Sequence, residues 1–237
     1  MFKQWYVQLT LTIFVALLLL SIPAHAVKNL KISNFGGGSQ VWFEAEDWDV
    51  RDPDTDEFFL LVDEPGAIGT AVTRAGGAGG RLTYKFDISS AGGQGGTWYF
   101  WGRVVNPSNN SDYMLVEGDP DDGEIPGGPP YAGNNDTAPF DNADDRIFEQ
   151  NIGDVGAWAW GRDDHGEGHT KDLQDGMNVM HIYHRQGDGS KKMDVFVWAD
   201  SADYTPTDAD YNNTKLAIAV EPAGKLATVW GRIKSRH

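Results

Sequence analysis

The chain has 237 residues, of which 35 are acidic and 19 basic, giving a net charge of −16, and it contains no cysteine. That balance argues against nucleic acid and anionic lipid as partners, and the missing thiols exclude disulfide staples, thiolate metal sites and cysteine nucleophiles. What holds such a chain together must be its core, a bound metal, or both, and its length suffices for one domain with a sizeable core.

The first 26 residues read as a signal peptide. Lys3 sits in a short polar start, an apolar run follows from Leu9 to Leu20, and Ala24-His25-Ala26 is the small-x-small pattern of a cleavage site. An uncleaved anchor helix is the rival reading, and the Pro23 break favours cleavage. The expected protein is secreted, periplasmic or held at the cell surface, with no membrane span after cleavage. Residues 27–38 form a lead-in to the domain.

Beyond it, helical periodicity is nearly absent. Short β-branched and aromatic runs alternate with clusters of Gly, Asp, Asn and Pro, which predicts an all-β sandwich of two antiparallel sheets. The clearest strands are Gln40 to Glu46, Ala71 to Thr73, Arg81 to Asp87, Thr97 to Val105, Tyr113 to Glu117, Gly156 to Trp160, Asn178 to Arg185 and Met193 to Ala199. In Thr97 to Val105 both alternating faces carry aromatics, so this strand is expected to be central and buried on each side. His181 and His184 read as structural or surface residues rather than ligands. The run Asp52 to Glu57 alternates acidic residues but has Glu57 where a calcium loop needs glycine, so it reads as a solvated loop.

Residues 118–145 form an acidic insert rich in Gly, Pro and Asn, long enough to be a binding loop or a disordered one. Residues 208–237, basic from Lys215 onward, read as a separate tail with a possible role in docking a cell-surface protein.

The order of several landmarks resembles family 6-like carbohydrate-binding modules, above all the family 35 branch, which are jelly-roll β-sandwiches. The matching pieces are Phe43-Glu44-Ala45-Glu46, Trp98 to Val104, Asn110-Ser111-Asp112-Tyr113, Trp158-Ala159-Trp160, His184 to Gly187 with Met193 to Val197, and Ala202 to Thr207. The likeness spans 39–207. It departs at Arg185-Gln186, where the family has Arg-Glu, and at the longer acidic insert.

Glu44 and Glu46 are two apart on a strand, so both carboxylates project from one face and need a cation or strong solvation. Hard oxygen donors suit calcium. The resemblance implies a structural calcium held by Glu44, Glu46 and Asp194.

Sugar recognition needs flat apolar faces for pyranose C–H groups and a few fixed polar groups for hydroxyls. The resemblance places a glycan site in the loops at one end of the sandwich. The candidate residues there are Tyr131, Trp158, Asp163, Asp164 and Asn110. Trp48 also lies in turn-rich sequence and is free to stack, whereas Trp98, Trp101 and Trp198 fall within strand patterns and read as core.

The sequence holds no serine nucleophile elbow, zinc motif or phosphate loop. The cluster Asp163 to His169 is the most enzyme-like, but its glycines oppose a helix that would bring His165 and His169 together. The expected function is non-catalytic carbohydrate binding by an exported, calcium-stabilised module acting on a glycan or polysaccharide. The alternative is a structural or adhesion module of a cell-surface assembly, with a small glycan-cleaving enzyme third.

Overall fold

The segment Gly96–Val105 shows how alternation builds this molecule. Trp98, Phe100 and Val104 enter the main core, while Trp101 and Arg103 are buried on the opposite face. A strand apolar on both faces has to be covered on both. The computed structural model describes residues 27–74, 79–108, 110–128, 131, 145–149, 152–153, 157–162, 169–185 and 189–217.

In chain order the strands are β1 Lys31–Ser33, β2 Gln40–Glu44, β3 Val50–Asp52, β4 Phe59–Val62, β5 Ala71–Arg74, β6 Arg81–Asp87 and β7 Gly96–Val105. They continue with β8 Asp112–Val116, β9 Arg146–Ile147, β10 Ala159–Gly161, β11 Thr170–Leu173, β12 Met177–Tyr183, β13 Lys192–Ala199 and β14 Lys215–Leu216; helix α1 spans Asp208–Asn212. The larger sheet runs β10-β7-β13-β2-β1-β14, with β11 also on β7, β5 on β13 and β4 on β5. The smaller runs β3-β6-β12-β8-β9. The fold is a jelly-roll β-sandwich of two antiparallel sheets.

Between the sheets lies an aromatic core. Phe43 stacks on Phe86 at 5.6 Å, Phe86 on Trp198 at 6.1 Å, and Trp198 packs against Phe100 at 5.0 Å. Rings in these offset and edge arrangements gain beyond simple burial.

The smaller sheet's outer face is covered as well. Tyr113, Leu115, Tyr131 and Tyr183 form a buried cluster there, with Ile125 against it. The described part of the acidic insert is tied down by charge. Lys171, buried on β11, contacts Asp122 and reaches Asp145 at 2.9 Å, and Asp119 accepts the Asp172 N–H at 2.8 Å. Of the run Asp52 to Glu57, residues 54–57 are the solvated loop expected, with exposed Asp54 and Asp56 both on Arg51, whereas Asp52 ends β3 and meets Tyr131 and Arg81. His181 and His184 are buried, as structural residues.

Two expected boundaries move. The lead-in 27–38 carries β1 and places Val27 and Leu30 in the core. The sandwich also does not end at Thr207, because 208–217 crosses the larger sheet's outer face. Asp208 meets Arg103 on β7, the Tyr211 ring packs on Trp42 at 6.3 Å, and Lys215 and Leu216 pair with β1. Thr207 starts α1 with a capping box shared with Asp210. Sequence reading missed this docking because a five-residue helix and a two-residue strand leave no periodic signal. The proposed signal peptide and the tail beyond 217 lie outside the described residues. Among the described residues no helix is long and apolar enough to cross a membrane.

Tyr211→Ala should therefore lower the free energy of unfolding by about 3 kcal/mol, the usual cost of deleting a buried aromatic. Urea denaturation checks this, and a loss below about 1 kcal/mol would mean that the segment is a loose tail after all.

Candidate functional site

The outer face of the larger sheet carries an ordered set of aromatic and charged side chains. Trp160 lies directly opposite Arg103 across the β10–β7 pair, so the two share a face. Alternation puts Trp158 and Arg162 on that same face of the chain. The Arg103 guanidinium lies 5.2 Å from the Trp158 ring centroid, Arg162 lies 4.6 Å from that of Trp101, and Trp160 meets Trp42 edge-on at 5.7 Å. Cations and aromatic faces thus interleave.

Both indoles on the β10 segment are held by their N–H groups. Trp158 donates to the Pro65 carbonyl at 3.1 Å and Trp160 to Asp208 Oδ1 at 2.8 Å. Both side chains are half-buried, so each keeps apolar surface toward solvent. Gly66, at φ +81°, lets the loop pass the Trp158 edge, where a Cβ would come within 3.2 Å.

The β4–β5 loop joins this surface to the predicted carboxylates. Arg103 donates to Gly66 O at 3.0 Å and to Asp194, and forks onto Asp208 through Nε at 2.8 Å and Nη2 at 3.0 Å. Asp194, fully buried, also accepts the Ile68 N–H at 3.1 Å and the Gly69 N–H at 3.4 Å. Burial raises its carboxyl above the ordinary value even though these donors oppose the shift.

Glu44 and Glu46 flank the same loop. A Cβ on Gly69 would sit 2.6 Å from Glu46 Oε1 and 2.8 Å from Glu44 Oε2. Burial would push the Glu44 carboxyl up, but hydrogen bonds from the Tyr211 hydroxyl and the Lys31 ammonium bring it below the usual range. Glu46 has no such cation. Its Oε1 accepts the Thr70 N–H at 2.8 Å, its Oε2 is buried without a hydrogen-bond partner, and burial with neighbouring Glu44 and Asp47 pushes it up to about 7.

A hard cation would relieve that frustration, so the glutamate pair fits the calcium expected from sequence. Asp194 is turned to Arg103 and two amides. Among the described residues no three acidic or histidine side chains converge tightly enough to hold a metal by themselves. Calcium there would need backbone oxygens besides the pair.

Of the predicted sugar residues, Trp158 belongs to this surface. Asn110 lies on the β7–β8 loop, its amide on Ser108 at 2.8 Å and its carbonyl accepting from Asn106. Tyr131 differs from expectation. It is only 6% exposed, packed on Tyr183 at 5.4 Å with its hydroxyl on Asp52, so it has no open ring face for a sugar. The apolar side chains of the smaller sheet draw it in. Trp48, expected to be free, is partly buried against the core with Arg51 over its ring. Asp163 and Asp164 lie outside the described residues. Sequence reading puts Trp158 and Trp160 on one face but takes only Trp158 as a site residue, and it misses Arg103 and Asp208.

Neither a family model nor a curated protein matches the chain. Among solved structures, a family 35 carbohydrate-binding module from Clostridium thermocellum aligns over 69% of this chain and 99% of its own, at 17% identity and a TM-score of 0.45. The C-terminal family 6 module of a marine laminarinase from Zobellia galactanivorans aligns over 68% and 99%, at 12% and 0.41. A family 35 module from Cellvibrio japonicus aligns over 75% and 97%, at 11% and 0.39.

Arg103→Met should cost about 3 to 5 kcal/mol by urea unfolding, because it leaves Asp194 buried with no counter-charge. Arg103→Lys should recover little, since an ammonium cannot fork onto Asp208 while reaching Asp194. A lysine variant as stable as the parent would rule out the fork as the reason.

Proposed function

We propose that this chain is a non-catalytic, exported carbohydrate-binding module that holds a glycan against the outer face of its larger sheet. The observation that carries the reading is the pair Trp158 and Trp160. Two indoles on one face of an edge strand, each fixed by its own N–H bond, offer pyranose C–H faces a surface that needs no reordering on binding. A charged group within reach supplies what stacking lacks, since Asp208, held by buried Arg103, stands beside the Trp160 ring to meet hydroxyls. The leader-like residues 1–26 fit a protein that meets polysaccharide outside the cell.

Calcium belongs to the proposal as a structural ion. Glu44 and Glu46 would hold it beside Gly69 and Thr70, on the loop that also carries Pro65 and Gly66 against Trp158. Its role would be to neutralise the half-buried carboxylates, above all Glu46, and stiffen that loop, with no part in any reaction.

A glycan array with the purified chain should give at least one polysaccharide hit, and Trp158→Ala should weaken it by about tenfold or more with folding intact, on the scale of a lost aromatic anchor. No hit on a broad array would overturn the reading and favour a structural or adhesion module instead.

Calcium should raise the melting temperature. At a concentration one hundred times its dissociation constant the gain is about 2.7 kcal/mol. Glu46→Ala should abolish the difference between calcium and chelator, and a parent protein indifferent to chelation would remove calcium from the proposal.

A further inference from the structure

We propose that Asp208 is the hydroxyl-binding group of the glycan site and that it selects neutral sugars over uronic acids. The inference rests on Trp158 and Trp160 as the stacking surface, and it assigns a residue from the segment that sequence reading set aside as tail.

A carboxylate at a surface ordinarily turns freely. Asp208 is held by three donors: Oδ1 accepts from Arg103 Nε at 2.8 Å and Trp160 Nε1 at 2.8 Å, and Oδ2 from Arg103 Nη2 at 3.0 Å. Its side chain nevertheless stays 54% exposed. An ionised carboxylate has about four acceptor positions, so acceptor capacity remains on the open side. Hydrogen bonds from Arg103 keep the group below the usual carboxylate range, and it stays an acceptor at neutral pH.

The local sequence fixes its position. The capping box between Thr207 and Asp210 sets the first turn of α1, with Asp208 at its start over the guanidinium. The result is an oriented acceptor next to two indoles, the combination that a sugar hydroxyl beside a stacked ring requires.

The sign of charge decides the class of sugar. Arg103 lies between two carboxylates, Asp194 and Asp208, so its charge is already neutralised, and a uronate next to the indoles meets Asp208 in a chain of net charge −16. Of the other described cations of this face, Arg162 lies over the Trp101 ring, and Lys31 is taken up by Glu44 and Tyr211. Neutral sugars donate hydroxyl hydrogens to Asp208 without that repulsion.

The test is calorimetric titration of the full chain with a panel of neutral hexasaccharides (cello-, xylo-, manno- and laminarihexaose) and with hexagalacturonate at the same ionic strength. The parent should bind at least one neutral hexasaccharide about tenfold or more tighter than hexagalacturonate, as expected for one charge-assisted hydrogen bond. Asp208→Asn should weaken the neutral ligand by about tenfold and strengthen hexagalacturonate, because Arg103 is left with Asp194 alone. That opposite movement separates a ligand contact from a structural defect, which would weaken both. Trp160→Phe keeps a smaller aromatic ring for stacking but removes the indole donor to Asp208, and should lower the neutral-over-uronate ratio in the same direction; it decides the matter if Asp208→Asn does not fold. Unchanged affinities in folded Asp208→Asn, or a parent that prefers hexagalacturonate, would overturn this inference and leave carbohydrate binding standing. A parent that binds none of the panel and nothing on the array would overturn both.

Discussion

Arg103 is the interaction on which the outer face depends. Its guanidinium gathers a carboxylate from β13, a carboxylate from α1 and a carbonyl from the β4–β5 loop, and it lies beside the Trp158 ring. Buried Asp194 is tolerable only with that partner, and Asp208 is oriented only by it. A planar fork with several donors can join three segments in one plane, which a point charge cannot do. The same device recurs in this acidic molecule: Lys171 lies between Asp122 and Asp145, and Asp112 lies between Arg74 and Lys191. Without disulfides, internal cations tie the loops to the sheets.

The two outer faces meet different fates. On the smaller sheet, Tyr113, Leu115 and Tyr183 are roofed by Ile125 and Tyr131 from the acidic insert. On the larger sheet, Tyr204 and Tyr211 roof Trp42, while the β10 edge keeps two indoles half-open. Apolar surface that remains on a monomer's face marks a place where something else binds. Here that surface comes with oriented polar groups, which suits a ligand covered in hydroxyls better than a purely apolar partner.

What the sequence disclosed follows from how local its signals are. β2, β6, β7, β12 and β13 could be read because five to ten residues of large alternating side chains leave a clear period. β1, β9, β11 and β14 could not, since they are two to four residues long and carry polar side chains whose burial depends on distant partners. Lys171 looks solvent-bound until Asp122 and Asp145 arrive from the insert. The candidate site divides in the same way. Trp158 was legible as an aromatic in a strand-like run, and Glu44 and Glu46 as a same-face pair. Asp208 was not, because its meaning lies in a contact with Arg103 across 105 positions of sequence. Tyr131 misled for the converse reason: turn-rich neighbours suggest exposure, and only the tertiary packing shows the apolar patch that takes it.

The strand order has a practical consequence for anyone who wants to hold this molecule on a solid support. β10 lies at one margin of the larger sheet and β14 at the other, five strand intervals apart, or about 24 Å at the usual spacing. A leash joined at residue 217 is therefore attached at the margin remote from Trp158 and Trp160. Beads or sensor chips coupled at that margin would present the indoles outward, whereas coupling near β10 would press them against the matrix.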